Sequence, residues 1–70
     1  MIDNDQELQA TLDRIRYFQA QLAHLRKTET SPTNYRLSAS GFIAEIDRMQ
    51  LEAREYLSAH PTELAASAQG

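Results

Sequence analysis

The side chains able to do chemistry in this 70-residue sequence are few and scattered. Two histidines, His24 and His60, stand far apart along the chain, and no cluster of acids or cysteines at ligand spacing accompanies either. A di-iron helical bundle draws on Glu-x-x-His pairs, and Asp13, Glu45, Asp47, Glu52 and Glu55 contribute to none. There is no Gly-rich phosphate loop, and the cysteine count of 0 removes thiolate nucleophiles and disulfides together. No Ser-His-acid arrangement can be specified. His24, beside Leu25 and Arg26, reads as a residue near the end of a helix. His60 precedes Pro61 at another helix end, where a histidine suits the free carbonyls and the dipole. Catalysis needs a convergent constellation in a pocket. The sequence is therefore expected to carry no catalytic residue, cofactor-binding residue or metal ligand, and to need no cofactor.

The elements around these side chains are better defined than the chemistry. Asn4-Asp5-Gln6-Glu7 has the form of a capping box, in which Asn4 accepts from the Glu7 N–H and Glu7 reaches back to Asn4. Ile2 lies just ahead, with Leu8 as its staple partner. Leu8, Leu12, Ile15, Phe18, Leu22 and Leu25 then recur at gaps of three and four and share one sector of a helix. A first helix is expected from about residue 5 to 27, with Arg26 and Lys27 near its negative end. Thr28 to Asn34 is polar and contains Pro32, so it reads as a connection. Ser31-Pro32 is suited to open a turn as N-cap and N1. Tyr35 and Leu37 are expected in that connection, folded back over the end of a bundle.

A second helix is expected from about residue 38 to 60, capped by Ser38 or Ser40, with an earlier start near Pro32 as the alternative. It carries the widest apolar face in the chain. Phe42, Ile46, Met49, Ala53 and Tyr56 form one row, and Ile43, Gln50 and Leu57 run alongside it. Glu45, Asp47, Arg48, Glu52, Arg54 and Glu55 occupy the outer face, with Arg48 spaced to pair with Glu45 and Glu52. Pro61 stops the helix. Residues 1–60 are thus expected to form one helical hairpin domain, and residues 61–70 a flexible tail.

The fold class is all-α, an antiparallel helical hairpin. One hairpin has only two stripes to bury, and each is wider than a coiled-coil seam. Leaving several large side chains in water would sacrifice about 1.5–3 kcal/mol each, against the small net stability of so short a domain. Two hairpins related by a two-fold axis, forming a four-helix bundle, are the simplest remedy. The expected core and oligomer interface is Leu12, Ile15, Phe18, Leu22, Leu25, Phe42, Ile43, Ile46, Met49, Ala53, Tyr56 and Leu57. A homodimer is expected, with a different protein supplying the missing helices as the competing solution. Tyr17 points away from the stripe and shares its side with Asp13, Gln21 and His24. These four are either a small partner patch or an exposed tyrosine lying along neighbouring stems.

Net charge is −3 and pI about 5.2. That balance argues against nucleic acid as a partner, since such modules carry a basic excess. The helices are also too long for a helix-turn-helix, and its short turn is missing. Arg14, Arg16, Arg26, Lys27 and Arg36 are the only candidates for a weakly basic edge. The N-terminal Met-Ile-Asp-Asn-Asp is no secretory signal and no apolar run approaches a membrane span, so the expected location is cytoplasmic, with no membrane partner.

Asn4 to Leu8, together with Ala44 to Tyr56, resembles the N-terminal helical-hairpin leader of bacterial antitoxin-like helix-turn-helix regulators. In those leaders an Asn-acidic start opens a long first helix, and a second helix ends in acidic-Tyr. No helix-turn-helix follows here. The resemblance therefore implies association or regulation through protein contacts, without DNA binding. Both lines lead to one expectation, a small non-catalytic interaction and dimerisation module. The alternative is a transcriptional or toxin-antitoxin-type regulator that touches nucleic acid through the basic edge of the dimer.

Overall fold

A computed structural model describes residues 1–60 and holds two helices, α1 (Asp5–Thr28) and α2 (Pro32–Leu57), packed against each other as an antiparallel hairpin. The expected tail at 61–70 lies outside the described residues. Among the described residues there is no strand.

The start of α1 follows from its sequence. Asn4 is extended, and its Oδ1 accepts from the Glu7 N–H at 2.8 Å. Glu7 reaches back one residue further than the expected reciprocal bond. Its carboxylate accepts from the Asp3 N–H at 2.8 Å, so the box is closed around Asp3 rather than Asn4. Ile2 is buried together with Leu8, which fixes the chain's entry onto the hairpin. Asp5 and Glu7 in the first turn, and Arg26 and Lys27 in the last, match the helix dipole at both ends. The helix closes when the Glu29 N–H donates to the Leu25 carbonyl at 2.9 Å, and the Thr28 hydroxyl to that of His24 at 3.2 Å.

The connection is Glu29-Thr30-Ser31 alone, where the polar composition of residues 28–34 suggested a longer one. Helix α2 begins at Pro32, six residues ahead of the expected start at 38, and ends at Leu57 rather than 60. The cause of the early start is local. Ser31 is extended, its Oγ accepts from the Asn34 N–H at 3.3 Å, and its carbonyl accepts from the Tyr35 N–H at 2.9 Å. Pro32 then sits at the N-terminal position where its missing N–H costs nothing. Glu29 adds to the turn by accepting from the Ser31 N–H at 3.0 Å. Nothing between Pro32 and Ser38 breaks a helix once it has been started, so Thr33 and Asn34 are carried inside its first turn.

Two further expectations change with that start. Tyr35 and Leu37 belong to α2 and not to the connection; Tyr35 is half-buried and Leu37 stands 72% exposed. Neither Ser38 nor Ser40 is a cap, and the Ser40 hydroxyl instead donates to the Leu37 carbonyl one turn back. At the far end the Ser58 N–H donates to the Arg54 carbonyl, and its hydroxyl to that of Glu55, so α2 stops four residues ahead of Pro61.

The core runs along the seam in two linked clusters. Ile2, Leu8 and Ala53 form one, flanked by Leu12 and Tyr56. Ile15, Ile46 and Met49 form the other, flanked by Leu12, Phe18 and Leu22. Leu12 joins the two. Met49, 2% exposed, is the most deeply buried large side chain. Phe18 and Phe42 meet edge to face with centroids 5.8 Å apart, the favoured geometry for an aromatic pair. The two helices are also tied at the open end of the hairpin, where the Tyr56 hydroxyl donates to Asp5 Oδ1 at 2.7 Å.

Candidate interaction surface

The side chains expected at a core or interface divide into two sets. Ile15, Ile46, Met49 and Ala53 are buried within the single hairpin, and Leu12, Phe18, Leu22, Leu25, Phe42 and Tyr56 are half-buried. Ile43 and Leu57 are not covered: they remain 45% and 63% exposed. The row centred on Met49 is thus turned toward α1, and the parallel row Ile43–Gln50–Leu57 is turned aside. One helix covers one row, because a helical face of this width exceeds the contact a single neighbour makes.

The two flanks of the seam differ in chemistry. On one side Arg48 bridges two acids, with Glu45 at 2.7 Å and Glu52 at 2.9 Å. The hydrogen bond from Arg48, and then its charge, hold the Glu45 carboxyl below its usual range. Glu7, Thr11 and Arg14 of α1 close this flank from the other helix. It is a polar cleft in which Arg48 and the N-terminal ammonium meet the acids of α2. On the opposite side a shallow apolar groove runs between the helices, lined by Leu12, Ile15, Ala53 and Leu57, with Gln50 and Arg54 at its edge.

Asp13, Tyr17, Gln21 and His24 are all exposed along the outer side of α1. Asp13 pairs with Arg16 at 3.6 Å, and the Tyr17 ring lies 5.9 Å from that of Phe18, tilted against it. Tyr17 is the patch's only large apolar group and stands 59% exposed. The expected basic edge is dispersed. Arg14 faces the acidic cleft and Arg16 faces Asp13, so these two arginines are directed toward acids rather than along a common line.

Ala39 falls in the apolar sector of the second helix by its spacing but is missing from the expected core; it is buried on α2. Gln50 reads from the sequence as part of the row beside the apolar face, whereas Arg54 is assigned there to the outer charged face and not to the groove it borders. The spacing of Arg54 to Leu57 was the available signal. Among the described residues no group of acids, histidines and cysteines is placed to hold a metal ion, and no helix is long and apolar enough to cross a membrane. Compared with known proteins, the chain matches no family model, no curated protein and no solved structure.

Proposed function

We propose that this chain is a small non-catalytic self-association module, in which two hairpins pair into an antiparallel four-helix bundle that serves protein contacts, regulatory ones included. The observation that carries this reading is the uncovered apolar row of α2 beside the Leu12–Ile15–Ala53–Leu57 groove. A lone hairpin leaves that face in water, where it weakens a domain already short of core. A second copy brings the same face and removes both from water at once. The leader-like Asn-acidic start and acidic-Tyr end of the helices agree with a role in association.

The test is the mass in solution. Sedimentation or light scattering at micromolar concentration is expected to give two chains, with helix content from circular dichroism matching the hairpin. A single-chain mass with full helicity overturns the reading. Duplex DNA titrated at low salt is expected to produce no complex. A salt-sensitive shift at submicromolar protein would instead support the regulator that contacts nucleic acid.

A further inference from the structure

The charges that border the apolar groove identify how the second copy sits. Ile43, Gln50 and Leu57 are spaced by whole heptads, so they form one straight row on α2. Asp47 and Arg54 are also one heptad apart and lie together on the outer border of that row. Both are exposed, and neither takes part in an ion pair within the described hairpin. The contrast with the other flank is direct, since Glu45, Arg48 and Glu52 are paired there inside one chain. One border therefore has its acids and base paired within the chain, and the other presents an exposed acid and base that are free to pair with a neighbour.

Resting on the self-association reading, we propose that α2 of a second copy docks antiparallel along this row. Gln50 then lies beside the two-fold axis, Ile43 lies against the partner's Leu57, and Asp47 lies against the partner's Arg54. The sequence spacing supports this orientation. Ile43 and Leu57 are equidistant from Gln50, and Asp47 and Arg54 are nearly so. In an antiparallel pair of helices, residues on the same border of the seam face each other across the axis. An acid meets a base on that border, twice by symmetry. A parallel pair would set this border against the opposite border of the partner's row, so Asp47 and Arg54 would not meet. Gln50 meets its own copy near the axis, and an amide both donates and accepts, so the one polar residue of the row can be satisfied by itself. Leu12 and Ile15 of the groove then cover the far side of the incoming helix.

The test is a charge exchange read by the dimer dissociation constant from sedimentation, with helicity followed in parallel. Asp47→Arg and Arg54→Asp, each alone, place like charges at two symmetric sites and are expected to weaken the dimer by roughly tenfold or more. The double variant D47R/R54D restores opposite charges across the axis and is expected to recover most of that loss. Both positions are exposed, so all three variants are expected to keep the helix content of the parent. Failure of the double variant to recover, or a dimer whose constant is unmoved by any of the three, overturns this docking mode while leaving self-association intact. A single-chain mass for the unaltered protein overturns self-association and, with it, this mode.

Discussion

Replacing Ile43 and Leu57 together by glutamine separates the folding of one hairpin from the joining of two. Glutamine keeps an unbranched stem and helix propensity, so each position retains its cover on the seam and loses its apolar tip. Full burial of an Ile or Leu side chain stabilises by about 1.5–3 kcal/mol. Ile43 and Leu57 are still 45% and 63% exposed in the hairpin, so that share of their burial is available only to association. Scaling by these fractions gives about 1.6–3.3 kcal/mol per chain, and two-fold symmetry raises it to about 3–6 kcal/mol per dimer. With about 1.4 kcal/mol for each factor of ten, complete loss weakens the dimer by roughly a hundredfold to ten-thousandfold. Sedimentation across a concentration series reads the dissociation constant, and circular dichroism on the same samples reads the helices. The expected result is a helical chain whose mass falls to one copy at micromolar concentration. A dissociation constant within about threefold of the parent's refutes the assignment of this row to an interface.

Other substitutions test the hairpin itself. Met49→Ala empties the best-buried position of the seam and is expected to cost about 2–5 kcal/mol in a urea titration, enough to unfold a chain of this size at low concentration. A loss below about 1 kcal/mol would show that the helices do not pack around it. Gly41 lies inside α2 with an ordinary negative φ, and a Cβ added there meets nothing within 4 Å. Gly41→Ala is therefore expected to raise stability by about 0.5–1 kcal/mol, and, since Gly41 lies on the flank away from the Ile43–Leu57 row, to leave the dimer constant unchanged. Tyr56 is held above its usual value near 10.0 by its hydrogen bond to Asp5, then by burial, then by the charge of Asp5. A phenol whose folded pKa is raised contributes stability in full below its unfolded pKa and loses it as pH climbs through the folded value. The melting temperature of the parent should exceed that of Tyr56→Phe at neutral pH, and the advantage should begin to fall near pH 10 and vanish only above the raised folded value. A pH-independent difference would mean that the Asp5 contact is not formed.

Much of this fold is legible in residue spacing, and its failures have local causes. The gaps of three and four from Leu8 to Leu25 give α1 nearly to the residue, because Asn4 and the Arg26-Lys27 pair mark its ends as well as its face. Helix α2 was legible from about Ser38 onward, with its observed start near Pro32 read only as the alternative. From Thr30 to Asn34 the residues carry low helix propensity, and the apolar period up to Ser38 is too sparse to announce a helix. What decides the matter is one cap, the Ser31 hydroxyl on the Asn34 N–H, backed by Pro32, which nucleates the helix ahead of its apolar face. The interface residues were read as one undivided set, since periodicity gives the width of a face and not the side that a neighbour takes. Only the placement of α1 shows that Met49 points inward while Ile43 and Leu57 are left outside.

The asymmetry of the two flanks also bears on where association stops. If both sides of the seam were apolar, hairpins could stack on either side, and contacts between unlike surfaces would propagate into open arrays. Here the Arg48 bridge to Glu45 and Glu52 sets a paired cluster of charge on one flank, which an incoming copy would have to strip of water. The remaining face, on the proposed mode, pairs with itself. A self-complementary face consumed by its own copy has nothing left to offer a third, so assembly closes at two chains. The consequence is testable through the closed flank. Arg48→Ala releases two acids toward any incoming copy and should leave the dimer's mass unchanged, since that flank takes no part in the contact. Loss of the dimer in a helical R48A protein would place the interface on the wrong side of the seam, and the argument from unmet charge would fail with it.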